Sequence, residues 1–349
     1  MQVTLGLFTH NHETFVLRAL QGVLSQTYSP LQILITDDAS SDRTPQIIQE
    51  ELDRYMGPHQ IEFTINAENR RLAVNINRNM ACATGDLYVI SSGDDISHPN
   101  RVERLVAAFT ASGPETMSLH SNANLIDEHG NFQRVHFQQD PPSWRCLHPD
   151  DARKFHGAWV LGATQAWNRK VFDFFGPLPA DVELEDRVIP FRSGLIGKIV
   201  YVNEVLVDYR VHRSSNSFID LWSGSRPWTA YRLLQTEKQI PTLRCIEKDL
   251  ALAQELLPEK KAVVASLQET NRQAWTELME SRELLQNRVS FPRKVLMAGK
   301  HFRGDRGFRN GIAWLLTYFC PALHLKYIHF RLRSLARKPR VRREYSGQD

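Results

Sequence analysis

The feature that most constrains this chain is the alternation, over its N-terminal third, of short apolar runs with amphipathic helical patterns. The runs 3–8, 31–36, 61–65 and 87–91 each read as a strand, and apolar residues at helical spacing follow each of them. Strands that alternate with helices pack as a parallel sheet, because each helix carries the chain back across it. The sequence therefore predicts an α/β fold, a Rossmann-like, mostly parallel sheet with flanking helices.

The remainder of the chain reads as an antiparallel pair, a closing strand and a helical region. Residues 117–132 predict a hairpin with the turn "EHGN", and "KIVYVNEVLVDYRV" predicts the last strand. Leu and Val recur at helical spacing over residues 243–289, which suits a helix hairpin packed on a body or joining two protomers as a homo-oligomer. We expect an α/β domain in residues 1–220 and a helical C-terminal region in residues 221–349.

Composition argues against several classes of protein. The four cysteines, Cys82, Cys146, Cys245 and Cys320, lie far apart without paired spacing, so neither a zinc knuckle nor a disulfide framework is predicted. The first residues run into a strand pattern with no basic region or small-residue cleavage site, which argues against a secretory signal. A reducing, cytoplasmic compartment fits both observations.

Polar loops follow three of the predicted strands, at the edge where open parallel sheets bind ligands. These loops read "FTHNHE", "TDDASSDRT" and "SSGDD". Asp37 and Asp38 suit hydrogen bonds from a nucleobase or ribose, or else they build a turn that caps the next helix. Asp94 and Asp95 suit Mg²⁺ or Mn²⁺, or else form a solvated loop in which Asp95 helps to cap a helix. The two pairs support each other because neighbouring strand ends share one crevice.

The motif "ELEDR" adds a third group of acids. On a helix Glu183 and Asp186 share a face while Glu185 points elsewhere, so one carboxylate could act as a general base and another could orient it. The alternative is a charged helix face.

The motif "DYRVHRSSN" gathers basic and hydroxyl side chains directly after the last predicted strand. Arg210, His212 and Arg213 suit the binding of a diphosphate, and His212 also suits the completion of a metal shell. A structural histidine beside a strand end is the alternative for His212.

In this order, the motifs resemble the family 2 glycosyltransferases of the GT-A fold over roughly the first 220 residues. The resemblance is carried by four blocks, "VTLGLFTHNHETFVLRALQGVLSQTYSPLQILITDDASSDRT", "NRNMACATGDLYVISSGDDISHP", "EDRVIPFRSG" and "VLVDYRVHRSSNS". It implies a GT-A catalytic domain and transfer of a hexosyl or deoxyhexosyl unit, with inversion, from a nucleotide diphosphate sugar to an acceptor hydroxyl.

The resemblance also implies roles for individual residues. Asp94 and His212 would bind a divalent metal, Mn or Mg, that bridges the two phosphates, with Asp95 as the structural neighbour of Asp94. Asp186 would take the acceptor's proton, and Glu185 would orient it. The residues that would bind the nucleotide sugar donor are Thr9, Asn11, Asp37, Asp38, Arg78, Asp95, Arg210 and Arg213.

The chain departs from the family pattern at four positions. Phe8 and His10 replace the usual Pro and Tyr of the first loop, Arg71 stands where a Gly is usual, and Ser92 occupies the first acid position of the metal motif. One carboxylate then remains to anchor the metal, so the diphosphate has to supply most of the other ligands. We expect weak metal binding in the absence of the donor.

The C-terminal end of the chain is strongly basic. Residues 288–349 carry a net charge of +12 and the preceding residues −8, within an overall charge of +4. The apolar run 311–330 is interrupted by Pro, Lys and two His, which predicts an interfacial or docking helix rather than a membrane span. Its basic flanks suit peripheral attachment to an anionic membrane surface, with packing on the body or on a second protomer as the alternative. No nucleic-acid-binding module is indicated.

Together these features predict a bacterial enzyme at the inner face of the cell membrane, acting on a glycan or lipid-linked acceptor in synthesis of a cell-surface polysaccharide such as an O-antigen. One alternative is a sugar nucleotidyltransferase, whose glycine- and lysine-bearing first loop is absent from "FTHNHETF". The other is a catalytically silent glycosyltransferase-like subunit of an assembly, which donor hydrolysis above background would exclude.

Overall fold

The structure, a computed structural model, describes residues 1–137, 156, 160–212 and 228–286 of the 349-residue chain. Its strands are β1 (Val3–Thr9), β2 (Gln32–Asp37), β3 (Gln60–Ile65), β4 (Leu87–Ser92), β5 (Ile96–Ser97), β6 (Thr116–Ile126), β7 (Phe132–Val135), β8 (Gln165–Asn168) and β9 (Lys198–Arg210). Its helices are α1 (Val16–Leu24), α2 (Thr44–Leu52), α3 (Leu72–Cys82), α4 (Arg101–Ser112), α5 (Lys170–Phe175), α6 (Glu185–Ile196), α7 (Trp228–Leu256) and α8 (Lys261–Leu285).

The nine described strands form one mixed sheet in the order β3-β2-β1-β4-β8-β6-β9-β5, with β7 paired to β6. The neighbours β3, β2, β1 and β4 are parallel, whereas β8 lies antiparallel between β4 and β6. β6 and β9 are parallel again, and β5 pairs antiparallel with β9. The predicted α/β class is confirmed. The parallel strands β3, β2, β1 and β4 form the Rossmann-like half of the sheet, and the other half contains the antiparallel pairings.

The alternation of side chains along each strand explains how helices cover both faces. In β4, Leu87 and Val89 belong to one buried apolar cluster, whereas Tyr88 and Ile90 belong to the other. The first cluster includes residues of α1, α2 and α4, and the second includes residues of α3, α5 and α6. Because both faces are covered, β1 is buried along its whole length.

The predicted strands and helices as far as residue 109 occur as β1–β4 and α1–α4, with ends that differ by a few residues. The "EHGN" turn between β6 and β7 is also confirmed. Its Asp127 carboxylate accepts the backbone N–H groups of His129 and Asn131 at 2.9 Å each, and Gly130 has a φ of 88°.

The chain forms two compact units, Met1–Asp220 with Lys238–Glu277 and Leu221–Glu237 with Leu278–Asp349. In the first unit, Ile246 and Leu250 of α7 and Val264 of α8 share an apolar cluster with the buried face of α6. In the second, Arg282 Nε lies 2.7 Å from Glu237 Oε1. The predicted functional boundary at residue 220 stays a prediction, and the basic tail lies outside the described residues.

A buried ion pair joins α6 to α7. Arg192 donates from Nε and Nη2 to the Asp249 carboxylate at 2.8 and 3.0 Å, and from Nη1 to the carbonyl of Gly176 at 2.8 Å. The Arg192 and Asp249 side chains are only 2% and 5% exposed, so water cannot replace either partner. Since α6 begins with Glu185 and Asp186, this pair helps to fix the helix that carries them.

We expect Asp249→Ala to lower the free energy of unfolding by about 3–5 kcal/mol, because Arg192 would keep an unpaired buried charge. Urea denaturation followed by circular dichroism measures the change. The matched control is Glu269→Ala, which removes an acid paired with Arg272 on the exposed face of α8 and should cost less than about 1 kcal/mol. Equal losses for the two variants would contradict a stabilising role for the buried pair.

Candidate active site

The carboxyl ends of β1, β2 and β4 lie side by side and carry the two predicted acid pairs. Thr9 is in register with Asp37, and Phe8 is in register with Ser92. The backbone N–H of Asp38 donates to the carbonyl of Thr9 at 2.8 Å, which continues the parallel pairing into the loop. The acid pairs therefore share one edge of the sheet, as the sequence predicts.

Asp38 lies in a cradle of N–H donors. Its carboxylate accepts the backbone N–H groups of Arg70 and Arg71 at 2.8 and 2.9 Å, and Asn66 Nδ2 at 2.8 Å. Burial acts to raise the pKa of Asp38, but these hydrogen bonds outweigh it and lower the pKa below its ordinary value. Arg78 Nη1 donates to Asn66 Oδ1 at 3.1 Å, so Asn66 links Arg78 to the group that holds Asp38.

Arg71 adopts a backbone conformation that favours glycine, with a φ of 68°. A residue with a side chain in such a region costs about 1–3 kcal/mol. The Arg at a position where the family usually has Gly therefore stores strain. The N–H that this conformation presents is one of the donors that hold Asp38.

Asp37 is fully buried, and its carboxylate organises the loop. It accepts hydrogen bonds from Thr9 Oγ1 at 2.8 Å and from the backbone N–H of Ser40 at 2.9 Å. Asn11 crosses the same loop, where its Oδ1 accepts the backbone N–H of Ser41 at 2.8 Å. Thr9, Asn11 and Asp37 thus shape the surroundings of Asp38. Direct contact of each residue with the nucleotide sugar stays a prediction.

Asp94 is the centre of a polar cluster at the end of β4. Its Oδ2 lies 3.0 Å from His212 Nε2 and 4.0 Å from His12 Nε2, and its Oδ1 accepts a hydrogen bond from the Ser92 hydroxyl. Burial acts to raise the pKa of Asp94, but the His212 hydrogen bond, the His12 charge and Ser92 lower it. The structure brings Asp94 and His212 together, as the metal prediction requires.

Asp95 points into the protein rather than into the crevice. It is 2% exposed and accepts the backbone N–H of Arg210 at 2.8 Å. Burial and the neighbouring Asp94 charge raise the pKa of Asp95 well above its ordinary value. The Arg210 guanidinium donates to the carbonyl of Asp94 at 2.9 Å and to carbonyls of the β6–β7 turn. These bonds hold the Asp94 loop in place. Contact of Asp95 or Arg210 with the nucleotide sugar stays a prediction. Arg213 lies outside the described residues.

Glu185 and Asp186 open α6 as a pair of adjacent carboxyl groups with little exposure. Burial raises the pKa of Asp186 to about 6, and burial together with the Asp186 charge raises the pKa of Glu185 to about 8. Gly162 packs against them, and a Cβ there would lie 3.0 Å from Glu185 Oε1 and 3.4 Å from Asp186 Cβ. The two adjacent carboxyl groups titrate together, and both pKa values lie above their ordinary range, which suits Asp186 to accept a proton.

Glu183 does not share a helix face with Asp186, so the prediction from sequence spacing was wrong at this position. The helix begins two residues after Glu183, and the intervening Leu184 has a φ of −118° and a ψ of 66°, outside the helical region. The Glu183 carboxylate lies instead on the preceding loop, 3.5 Å from Arg71 Nη1 and 3.4 Å from Lys238 Nζ. It forms part of the rim rather than of the carboxyl pair.

The Asp94 cluster fits a divalent metal as an open site. In the part of the chain that the structure describes, no group of three or more His, Cys, Asp or Glu side chains is arranged to hold a metal ion by itself. One carboxylate with imidazole nitrogens is nevertheless a ligand set of the kind that divalent transition metals take in proteins. A metal held here would therefore need oxygen ligands from a bound molecule, as expected from the serine at position 92.

Three residues of the site were not predicted, namely His12, Asn66 and Arg101. Arg101 is fully buried and donates from Nη2 to the carbonyls of Ile90 and Ala163 at 2.9 and 2.8 Å. It thereby ties β4 to the turn that packs against the carboxyl pair. The polar loop "FTHNHE" contained a signal for His12, whereas the partners of Asn66 and Arg101 come together only through the fold.

Comparison with known sequences identifies relatives of this chain. The sequence model of the family described as Glycosyl transferase family 2 matches residues 5–169, which include the Asp38 and Asp94 loops. An uncharacterized glycosyltransferase of Nostoc sp. is 26% identical over 223 residues, which cover 62% of this chain and 66% of the relative. EpsE of Bacillus subtilis, which is named as a glycosyltransferase, is 34% identical over 107 residues, 31% of this chain and 37% of EpsE. The matched regions span less than two thirds of these relatives.

A solved structure shares the fold. The mannosyltransferase PcManGT from Pyrobaculum calidifontis, in complex with GDP-Man and Mn²⁺, aligns with a TM-score of 0.50 at 17% sequence identity. The alignment covers 97% of this chain and 88% of that chain. At this level of identity the likeness shows the fold alone, which is the GT-A fold that the sequence predicts.

Proposed function

We propose that this chain, whose residues 5–169 match the sequence model of glycosyl transferase family 2, is an inverting glycosyltransferase. Its donor is a nucleotide diphosphate sugar, and its acceptor is a hydroxyl group of a glycan or a lipid-linked saccharide. The observation that carries the proposal is the presence, around one edge of the sheet, of three chemically different groups. These are the ionised Asp38, the Asp94 cluster and the Glu185–Asp186 pair.

Two contacts link these groups into one crevice. Arg71 Nη1 lies 3.5 Å from Glu183, which brings the loop before α6 next to the loop that holds Asp38. Arg101 connects the end of β4 to the Gly162 turn, against which the carboxyl pair packs. A donor can therefore lie along the strand ends with its sugar directed toward α6.

Asp38 is suited to hold the nucleoside. Hydrogen bonds from the backbone N–H groups of Arg70 and Arg71 and from the side chains of Asn66 and Asn75 lower its pKa and keep it ionised. An ionised carboxylate accepts N–H or O–H groups of a base or ribose, and a nucleoside bound here would share the Asp38 oxygens with these neighbours. Arg78, beside Asn66, adds a positive charge on the same side of the crevice.

Asp94 and His212 are the residues that would hold the divalent metal, which neutralises the charge that develops on the leaving diphosphate. Ser92 fixes the Asp94 carboxylate by its hydroxyl, and Arg210 fixes the loop by its bond to the Asp94 carbonyl. Both contacts limit the freedom of Asp94 before a donor arrives, which reduces the cost of ordering the site.

Asp186 is suited to act as the general base. The acceptor hydroxyl gives its proton to the Asp186 carboxylate while its oxygen forms a bond to the anomeric carbon, and the bond from that carbon to the diphosphate oxygen breaks. Attack from the side opposite the leaving group inverts the anomeric configuration. Burial and the Asp186 charge raise the pKa of Glu185, so the protein disfavours a second negative charge beside the base.

We expect kcat to rise with pH through about 6, since Asp186 has to be ionised to accept a proton and burial raises its pKa to about 6. An ordinary aspartate has a pKa of about 3.9 and would give a flat rate above pH 5. Asp38 and Asp94 have lowered pKa values and stay ionised across this range. Initial rates at saturating donor and acceptor from pH 4.5 to 9 measure the profile, and a flat profile between pH 5 and 7 would contradict the assignment.

The proposal is tested first by binding. Nucleotide sugars with different bases and sugars are added to the full chain in the presence of manganese or magnesium, and the melting temperature is measured for each. We expect a rise for donors of one nucleotide class, and a larger rise with metal than with a chelator. No stabilisation by any nucleotide sugar under either condition would argue against the proposed donor.

The location of the reaction is part of the proposal. None of the helices in the described residues is long and apolar enough to cross a membrane. We place the enzyme at an anionic membrane surface, held by the basic residues 288–349, where it serves cell-surface polysaccharide synthesis on a lipid-linked acceptor. The bacterial relatives and the net charge of +12 in this segment support this placement.

Removing residues 288–349 is expected to abolish flotation with liposomes that contain anionic lipid, because the net charge of the remaining chain is −8. The full chain should float with these vesicles at low salt and detach as ionic strength screens the attraction. Neutral vesicles and the melting temperature of the truncated chain are the controls. Undiminished flotation of a folded, truncated chain would assign membrane binding to another surface.

A further inference from the structure

The metal motif of this chain lacks its first acid, because Ser92 stands in that position. The structure shows that Ser92 does not substitute for a ligand. Its hydroxyl donates to Asp94 Oδ1 and thus orients the remaining carboxylate instead of adding a second one. Another side chain therefore has to supply the ligand that the absent acid would provide.

Two imidazoles face the other oxygen of that carboxylate. His212 Nε2 lies 3.0 Å and His12 Nε2 4.0 Å from Asp94 Oδ2. With bonds of about 2.1 Å to an octahedral ion, ligands at right angles lie about 3.0 Å apart and opposite ligands about 4.2 Å apart. Both separations lie within the range expected for atoms that share one ion.

His12 is held firmly in this place. Its backbone N–H donates to Thr44 Oγ1 at 2.8 Å, and its carbonyl accepts the N–H groups of Phe15 and Val16 at 2.8 Å each. The imidazole packs against Gly93, where a Cβ would lie 2.5 Å from His12 Nδ1. The glycine between Ser92 and Asp94 therefore makes room for the ring.

The His12 nitrogen that faces Asp94 is Nε2. The other ring nitrogen, Nδ1, faces Gly93 and, within the described residues, is buried without a hydrogen-bond partner. The contact of Nε2 with Asp94, at 4.0 Å, is too long for a hydrogen bond. Nε2 therefore stands next to the Asp94 carboxylate without bonding to it, at a distance that leaves room for an ion between the two atoms.

We propose that His12 is a metal ligand that replaces the acid absent at Ser92, so that the chain contributes two imidazoles and one carboxylate to the ion. This inference rests on the proposed function, since the remaining ligands come from the donor diphosphate. Mg²⁺ takes oxygen ligands, whereas imidazole nitrogen suits first-row transition ions. The site therefore selects Mn²⁺ or a later first-row ion over Mg²⁺.

The test measures binding of UDP and of GDP to the full chain by calorimetry, each with Mn²⁺ and with Mg²⁺. The wild-type chain should bind one of the two nucleotides more tightly with Mn²⁺ than with Mg²⁺. His12→Asn should weaken the Mn²⁺-dependent binding by about tenfold or more and leave the metal-free affinity unchanged. His129→Asn, at a side chain that is 77% exposed, is the matched control.

Two further variants separate loss of a ligand from misfolding. Gly93→Ala keeps the imidazole but displaces it, and should weaken Mn²⁺-dependent binding in the same way. Ser92→Asp combined with His12→Asn returns the missing acid, and should restore binding with a shift in preference toward Mg²⁺. A rescue of this kind cannot arise from a chain that fails to fold.

Pulsed electron paramagnetic resonance of the Mn²⁺–nucleotide complex detects the nitrogen ligands of the ion directly. We expect nitrogen couplings from two imidazoles in the wild-type chain and from one in His12→Asn. Equal affinity and unchanged couplings in that variant would overturn the role of His12 and leave the proposed function intact. Absence of metal-dependent binding of any nucleoside diphosphate or nucleotide sugar to the wild-type chain would overturn both.

Discussion

Replacement of Asp186 by Asn is expected to lower the rate of sugar transfer by about 10²–10⁴-fold, the usual contribution of a general base. The change removes the carboxylate that would accept the proton and keeps the shape of the side chain. Donor affinity should stay within about twofold, since Asp186 acts on the acceptor. Steady-state transfer rates and calorimetric donor binding measure the two effects separately.

The control for this prediction is Asp173→Asn, the same chemical change at a side chain that is 58% exposed on α5. It should leave transfer unchanged. A raised pKa means that ionisation of Asp186 destabilises the folded state above pH 6, so Asp186→Asn should melt no lower than the wild type at pH 8. Wild-type turnover in a stably folded Asp186→Asn chain would show that another group is the base.

Replacement of Asp94 by Ala is expected to remove metal-dependent donor binding and to reduce turnover by about a thousandfold, since a metal stabilises the leaving group by several kcal/mol. Among the described residues, the neighbouring acid Asp95 is buried and accepts the backbone N–H of Arg210, so it cannot take the place of Asp94. Calorimetric titration of the nucleoside diphosphate with manganese and with a chelator measures the loss.

For Asp94 the informative comparison is between conditions as well as between variants. The wild-type chain should lose affinity when manganese is removed, whereas Asp94→Ala should bind equally weakly with and without it. Asp173→Ala serves as the control for loss of an acid. Equal affinity of the wild-type chain with and without manganese would remove the metal role from Asp94.

The fold could be predicted in its parallel half because each element there is encoded locally. Strands β1 to β4 are apolar runs followed by polar loops, and the intervening helices have their own periodicity. The insertion of β8 between β4 and β6 could not be predicted, because a four-residue strand has no distinctive pattern and its pairing is with distant segments. The two-residue strand β5 could not be predicted from the sequence for the same reason.

The site could be predicted where its residues follow strands within recognisable motifs. Asp38 and Asp94 follow β2 and β4 and lie at one edge of the sheet for that reason, whereas Asp186 lies in the first turn of α6. The roles of all three stay predictions. The direction of a side chain was harder to predict, as Asp95 shows by pointing inward to Arg210. Glu183 was misplaced because the loop conformation that precedes α6 cannot be read from helical spacing.

The most direct test of the central claim is release of nucleoside diphosphate from the nucleotide sugar that stabilises the chain, measured with manganese in the presence and absence of candidate acceptors. The account predicts slow release with water alone, faster release with the acceptor, and loss of both in Asp94→Ala. It also predicts that Asp186→Asn binds the donor but loses acceptor-stimulated release. A chain that binds the nucleotide sugar tightly yet releases no nucleoside diphosphate above background, with any acceptor, would contradict an enzymatic role and indicate a silent subunit.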